Sequence, residues 1–505
     1  MRQFRFSTAT VLFLCLFAFT QPAFAQSTGT IYGTVLDASG AAVAGARVTA
    51  LNTETNLART IETGDTGQFT IPLLPVGTYS VKVERSGFNP FEQTGVLLQV
   101  NTNVQVDASL QVRGATEQVV VTAEQTLVQT NSTSLVQVVD QRRIADLPLN
   151  GRNILQLTTL NAGISDSGAA GSTVQNSSLG SGFYNNVSIS VNGSRGDGTN
   201  YLLDNADNND SYTNIASPFP NPDAIQEFSI QSSTFDAQYG RNVGGVVNVV
   251  TRSGSNQLHG SLFEFLRNKS LNAGNFFSGR DALKRNQFGG SFGGPIYLPK
   301  LYDGRNKSFF FFSYQGTRQA TATPGALAIA PSEAMKRGDL SAWLTADGRG
   351  AIRDPLVPGT YFPNNQIPVS RFDPVAAKLL SYMPTSTTSN YNYRFQTPSQ
   401  LIKDDQILLR LDHSLTDRQR LSFRYFWLRY DQPWVFIPDN LMYLSVGQTG
   451  PTHNATLNYV NVISPRLVNE FSATHQGLWP VSSPPADLNV NFPSLGARTL
   501  IASQP

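Results

Sequence analysis

The stretch FDAQYGRNVGGVVNVVTRSGSNQLHGSLFEF, Phe235 to Phe265, constrains this chain more than any other. A Gly-rich turn leads into a strand of the buried type, Val246 to Val250. A second turn follows, and long strands of alternating polar and apolar residues then run toward the C-terminus. That order puts a compact domain directly ahead of a sheet whose two faces meet different surroundings. The expected architecture is a membrane β-barrel that carries its own stopper.

The N-terminus fits export. Arg2 and Arg5 precede an apolar run from Val11 to Phe19, and Ala23-Phe24-Ala25 supplies an A-x-A cleavage site. This is the pattern of a secretory signal over residues 1–25, and the mature chain is expected to begin at Gln26. The run is too short to span a bilayer as a helix. Cys15 is the single cysteine and leaves with the signal, and Leu12-Phe13-Leu14 lacks the small residues of a lipoprotein signal. The mature chain therefore has no disulfide framework, no thiolate metal site and no thiol nucleophile. Arg2 and Arg5 leave as well, so 35 basic residues face 35 acidic ones. No basic stripe points to nucleic acid. Nothing after Ala25 approaches ~18 consecutive apolar residues, so any membrane insertion must use strands, which satisfy their backbone only in a closed barrel.

Residues 26–112 read as short strands broken by turns. Ile31, Gly33 and Val35 alternate before Asp37-Ala38-Ser39-Gly40; Arg47 to Leu51, Phe69 with Ile71, and Tyr79, Val81 and Val83 follow. This spacing describes a small sandwich with one apolar inner face. DTGQFTIPLLPVGTYSVKVERSGF, Asp65 to Phe88, resembles the carboxypeptidase regulatory-like domain, which implies a prealbumin-like β-sandwich. No zinc-ligand or general-base set accompanies it, so a periplasmic accessory module is expected rather than a peptidase.

Residues 113–255 have a different texture. Asp140 can cap a short helix, Gln141 to Leu147, that Pro148 ends. Ile154, Leu157 and Leu160 fall on one face of a second helix, and Pro222 suits the first turn of another. Residues 165–186 are Ser/Gly/Asn-rich and read as a loop. The expected unit is an α+β domain with its own core. LPLNGRN (Leu147 to Asn153), VNGSRGDGTNYLLDNADNND (Val191 to Asp210) and FDAQYGRNVGGVVNVVTRSGSN (Phe235 to Asn256) resemble the plug of TonB-dependent outer-membrane receptors, specifically the Oar-like group that carries the regulatory-like domain in front. Asn205 departs from the glycine that relatives tend to have after Leu-Leu-Asp. Asparagine also tolerates a left-handed turn.

From residue 256 to 505 the strands lengthen. Ile407, Leu409 and Leu411 alternate with Arg410 and Asp412, and Leu421, Phe423, Tyr425 and Trp427 alternate with Ser422 and Arg424. Leu467, Asn469, Phe471 and Ala473 follow a Ser464-Pro465 turn, and Phe309 to Phe312 with Tyr314 suit an aromatic girdle. This is the pattern of a transmembrane barrel. Residues 318–402 break the rhythm with prolines and one helix-like piece, Val375 to Leu380, and read as a long surface loop. A plugged transporter barrel has about 22 strands. Some 20–25 residues per strand and connection supply about half of them or fewer here, so the sequence is expected to be the first part of a longer protein. The whole is mainly β: a sandwich, an α+β plug, then the first part of a transmembrane antiparallel β-barrel.

Candidate chemistry is sparse. Gly289 to Gly293 satisfies G-x-S-x-G, but a nucleophile elbow needs a strand-to-helix turn, and QFGGSFGGPIYL continues as strand or turn. His259, His413, His453 and His475 form no HExxH pair and read as pore-facing or loop residues. Asp204, Asp207 and Asp210 could offer oxygens to calcium, but their spacing does not fit an EF-hand loop and its glycine is missing. No catalytic residue, cofactor or metal site is expected. Arg195 and Arg241, beside glycines, suit either an anionic ligand or carboxylates on the barrel wall, and the pairing is favoured.

What the resemblance implies is energised uptake across the outer membrane without a covalent step. Asn192, Arg195, Asp197, Asp204, Asp207 and Asp210 then form a plug loop at the ligand face. Glu117, Gln118, Val119, Val120, Val121, Thr122 and Ala123 lie where the family carries the TonB box. A β-branched segment of this kind can add itself as a strand to a partner's sheet edge; the bland alternatives are a last sandwich strand or a plain linker. The implied partners are an inner-membrane TonB-type energy-coupling protein, outer-membrane lipid, and a carbohydrate, peptide or iron-chelate ligand, with the sandwich inclining toward carbohydrate. A surface adhesin anchored by the same barrel is the alternative, and a periplasmic carboxypeptidase is disfavoured.

Overall fold

The computed structural model describes residues 28–112, 119–122, 134–166, 189–211, 214–233, 235, 239–240, 242–274, 276, 283–321, 326–342, 351–395, 399–433, 447–464, 467–479, 481, 493 and 495–496. The export signal, Glu117, Gln118, Ala123, Arg241, Pro465 and nearly all of the 165–186 loop lie outside them.

The first unit contains β1 (Thr28–Asp37), β2 (Arg47–Asn52), β3 (Ala58–Glu62), β4 (Gln68–Pro75), β5 (Gly77–Glu84), β6 (Phe91–Leu98), β7 (Asn103–Gln105), β8 (Ala108–Leu110) and β9 (Val119–Thr122). One sheet runs β4-β1-β7, with β8 also on β1; the other runs β3-β2-β5-β6-β9. Alternation sends Ile31, Val35, Val48, Ala50, Ile71, Val81 and Val83 into one apolar core, each fully buried. The expected sandwich is present.

The second unit contains β10 (Leu135–Asp140), α1 (Gln141–Asp146), β11 (Ile164–Asp166), β12 (Ile189–Val191), β13 (Asn200–Leu203), β14 (Ala206–Asp207), β15 (Ile225–Ser233) and β16 (Val246–Thr251). Its main sheet runs β10-β15-β16-β13-β14. The Asp140 carboxylate accepts from the Arg143 N–H at 2.9 Å and caps α1. Residues 154–160 form a 3-10 helix rather than an α-helix. Ile154 and Leu157 enter the core, but Leu160, the last residue of the element, is exposed. β16 is buried along its whole length. The glycines ahead of it are there for closeness: a Cβ on Gly244 would stand 2.8 Å from the Gly198 carbonyl oxygen, to which the Gly244 N–H donates.

The third unit contains β17 (His259–Asn268), β18 (Lys284–Pro295), β19 (Tyr297–Leu298), β20 (Tyr302–Asp303), β21 (Ser308–Thr321), β22 (Ala326–Ile329), α2 (Glu333–Lys336), α3 (Pro374–Ser381), β23 (Asn392–Phe395), β24 (Gln400–Thr416), β25 (Gln419–Gln432), β26 (Gln448–Ser464) and β27 (Leu467–Leu478). Seven of these strands make one antiparallel sheet, β17-β18-β21-β24-β25-β26-β27, which is not closed among the described residues. Strands of 10 to 17 residues match or exceed the ~10 that a tilted strand needs to cross a bilayer. Connections at one end include tight turns, as at Thr416 to Gln419; those at the other are longer, from Asn268 to Lys284, from Gln432 to Gln448 and, longest, from Thr321 to Gln400. Residues 326–395 are more than a plain loop, since β22 pairs with β23 and α3 falls where the helix-like piece was expected.

The outward and inward sets are clearest in β25. Arg424, Phe426 and Leu428 are buried, whereas Leu421, Phe423, Tyr425 and Trp427 alternate with them on the other face. The aromatic run splits in the same way. Phe312 is exposed on the outer face, but Phe309 and Phe311 point inward and are buried, so only part of the run can serve a girdle. Three of the four histidines correct the expectation of pore or loop positions, while His259, in register with Gly293 and Phe311, stays on the inward face. Register puts His413, His453 and His475 in the outward set with Leu421, Trp427 and Tyr425. Tyr425 and Trp479 close around the His453 ring, with Tyr425 OH 2.6 Å from Nδ1. Ser291 of the G-x-S-x-G match sits mid-strand in β18, paired with Ser261 and Ser313.

Candidate functional site: the seam between plug and barrel

The motif LLDN closes a hairpin. Leu203 pairs with Ala206, and the two residues between them, Asp204 and Asn205, have φ of 51° and 62°. Positive φ at both central positions is a type I′ turn. Asn205 therefore holds the left-handed geometry that glycine would supply. The turn aims the Asp204 carboxylate sideways, where it accepts from the Thr251 N–H at 2.9 Å and from Thr251 Oγ1 at 2.8 Å. Two arginines from the barrel wall meet it. Arg410 Nη1 stands 3.5 Å from Oδ1, and Arg424 Nε stands 2.8 Å from Oδ2 as a charge contact rather than an aligned hydrogen bond.

The cluster continues into the wall. Arg410 and Arg420 both pair with Asp412, at 2.9 and 2.8 Å, and Ser422 Oγ donates to the same carboxylate. Arg410 also donates to the Thr251 carbonyl at 2.7 Å, and Arg424 donates to Asn454 and Thr456. Two carboxylates thus face three guanidinium groups, and neutral acceptors take the remaining N–H groups named here. A cavity of about 310 Å³ lies beside them, bounded by plug, barrel and sandwich through Arg252, Arg410 and Glu54.

The seam is polar over most of its length. Asn454 Nδ2 donates to Asn208 Oδ1 at 2.9 Å, Gln476 Nε2 to Ser217 Oγ at 2.6 Å, and Asn221 Nδ2 to Ser313 Oγ at 3.1 Å. Arg152, from LPLNGRN, donates to Gln315 at 2.9 Å, pairs with Asp223, and lies 4.2 Å from the Phe263 ring centroid. Apolar contact is confined to one patch, where Phe311, Leu408, Phe426 and Leu428 pack around Ala224.

The six plug-loop residues do not share one surface. Asp204 is buried in the seam, and Asp207 and Asp210 are half-buried beside the seam residues Asn208 and Asn209. Asn192 and Arg195 are exposed; Arg195 pairs with Asp197 at 3.0 Å, inside its own loop rather than on the barrel wall. Among the described residues no group of three His, Cys, Asp or Glu side chains stands where it could hold a metal. Reading the residues one at a time missed Arg152, Arg410 and Arg424 as seam residues. For Arg410 and Arg424 the usable signal was an arginine at an inward position of a strand whose other face is apolar; Arg152, in a 3-10 turn, carried no such signal.

The sandwich touches both other units. The Val100 N–H donates to the Glu227 carboxyl, Asn101 Nδ2 donates to Ser229 Oγ at 3.0 Å, and Tyr239 OH donates to Asn101 Oδ1 at 2.9 Å. The Asn256 N–H donates to the Glu54 carbonyl at the short-turn end of the barrel strands. Burial between the units pushes the Glu227 carboxyl up to about 7. Of the candidate coupling segment, Val119–Thr122 is β9, in parallel register with β6: Phe91↔Val119, Glu92↔Val120, Gln93↔Val121 and Thr94↔Thr122.

Residues 250–500 match the family described as outer membrane beta barrel domain, and residues 30–111 match the carboxypeptidase regulatory-like domain. The TonB-dependent transporter Oar of Myxococcus xanthus is 32% identical over 315 residues, which are 59% of this chain and 28% of that protein. The chain thus spans little more than a quarter of that relative. The siderophore receptor PirA from Acinetobacter baumannii aligns with a TM-score of 0.37 and 15% identity, over 68% of this chain and 40% of that one. The outer membrane transporter YddB from Escherichia coli aligns with a TM-score of 0.35 and 12% identity, over 64% and 36%. The chain therefore carries a carboxypeptidase regulatory-like domain ahead of an outer membrane beta barrel domain, and it is similar in sequence to the TonB-dependent transporter Oar.

Proposed function

We propose that the chain serves energised uptake of a large solute through the outer membrane, with a carbohydrate as the leading cargo class and a peptide or iron chelate as the others. The observation that carries this reading is the seam. A stopper that must move has to separate from the wall without exposing a large apolar surface, and charged and amide contacts can re-pair with water. Short barrel turns face the periplasm and long connections face outward, so residues 326–395 lie on the cargo side. Of the six plug-loop residues, Asn192, Arg195 and Asp197 are the ones placed outside the seam, where they are free to contact cargo. The signal at residues 1–25, cleaved after Ala25, delivers the chain to the periplasm, and the segment around Val119–Thr122 is what the inner-membrane coupling protein grips. The polypeptide itself performs no covalent step.

The test is accumulation of labelled oligosaccharide, peptide and ferric chelate by cells with and without the coupling protein. Uptake of one class that disappears with the coupling protein supports the reading. Surface binding without coupling-dependent accumulation of any class favours the adhesin instead.

A further inference from the structure

The sandwich has an edge that is used in an unexpected way. β6 pairs with β5 on one side, and its other side would be the open margin of the sheet. Such a margin presents unpaired N–H and C=O groups to any compatible strand. Val119–Thr122 takes that place over four residues, parallel to Phe91–Thr94. The route there is short, because Val112 bridges Phe88, three residues before Phe91, and the chain then needs only residues 113–118 to reach Val119. From Thr122 the chain goes on to β10, whose Asp140 pairs with Glu227, the residue that the sandwich holds through Val100.

We infer that the β6 edge of the sandwich is the resting dock of the coupling segment, so that the coupling protein must take this strand away from the sandwich before it can pull on the plug. The inference rests on the transport reading above. Strand addition by a partner and strand addition to β6 draw on the same four residues. Because the dock is in the same chain, its effective concentration is in the millimolar range of a short linker. The partner's apparent affinity is therefore reduced by the fraction of segment that is undocked. The sandwich thereby becomes a gate on coupling, independent of its place against the plug.

Only Cys15 precedes the mature chain, so introduced thiols stand alone. Gln93→Cys with Val121→Cys joins register partners on adjacent strands, which lie about 5 Å apart, within the Cα range of a disulfide. Thr94→Cys with Val119→Cys is three residues out of register and is the control. In the full-length receptor in outer-membrane vesicles, the first pair is expected to bridge on mild oxidation and the control pair not to. Bridging is expected to weaken binding of the coupling protein's purified periplasmic domain by at least tenfold, with recovery on reduction. Failure of the first pair to bridge, or equal bridging by the control, overturns the dock. Undiminished binding by the bridged receptor overturns the competition, because the partner would then be adding to the outer side of β9. If neither the reduced variant nor the unaltered receptor binds the domain, the transport reading fails, and the bridging yields still decide the dock.

Discussion

The interior of the sandwich and the seam between plug and barrel are both buried, but they are built from opposite materials. In the sandwich, Ile31, Val48, Ile71, Leu74, Val81 and Leu98 are fully covered by other apolar side chains. In the seam, Asp204, Arg424, Asn208, Asn454 and Gln315 are buried too, yet most of their contacts are hydrogen bonds or ion pairs. Apolar burial is non-directional and costs the full transfer free energy to undo. A polar seam is specific, and its net contribution is small because water replaces what is lost. The first suits a module that stays folded, and the second suits two bodies that must part.

That contrast can be broken most directly at Asp204. Asp204→Ala leaves Arg410 and Arg424 facing each other without their plug carboxylate, and about 3–5 kcal/mol of plug retention should be lost. Limited proteolysis should then cut the plug while the sandwich keeps its protection; equal loss from both would mean that the seam is not a separate unit. Ile71→Ala is the converse change. It should cost the sandwich about 2–5 kcal/mol in urea denaturation and leave plug retention unaltered. Leu409 lies between Phe312 and Tyr425 on the outward face, and Leu409→Arg should destabilise the barrel by about 2–4 kcal/mol in lipid vesicles. An arginine there that costs nothing would remove the membrane-facing assignment of that row.

Smaller effects test the third contact. The Glu227 carboxyl is raised from 4.5 to about 7 where the sandwich meets the plug, so docking favours its protonated form. The stabilisation is complete below about pH 4.5 and is lost as pH rises through about 7. Sandwich docking, followed by a fluorescence pair across the interface, should weaken by about 1–3 kcal/mol over that interval, and Glu227→Gln should flatten the profile. The smallest change is Asn454→Ala, which removes one bridge to Asn208 and should cost about 1 kcal/mol of plug retention.

The parts of this architecture that were legible in the sequence are those governed by local rules. Period-two alternation located the strands of the sandwich and barrel, and the cap at Asp140 and the turn at Asp204-Asn205 follow from side-chain size and backbone sterics. The inward side of the barrel was only half legible. Phe426, Leu428 and Phe311 look like lipid-facing residues until Ala224 of the plug is placed against them, and that contact joins segments nearly ninety or more positions apart. The seam was misread for the same reason. Asp204 and its neighbours resemble a solvated loop because their partners, Arg410, Arg424 and Asn454, lie more than two hundred residues onward. The pairing of Val119–Thr122 with β6 was visible only as one option among three, since a β-branched tetrapeptide does not specify which edge it will join.

The distance along the chain between Asp204 and its two arginines has a bearing on biogenesis. When residues 28–251 have left the export machinery, this carboxylate has Thr251 but no cation, and it stays hydrated until β24 and β25 arrive. Contacts of such wide separation form late. The last tie between cork and bottle thus waits on the bottle: Asp204 gains its counter-charges only when β24 and β25 are in place.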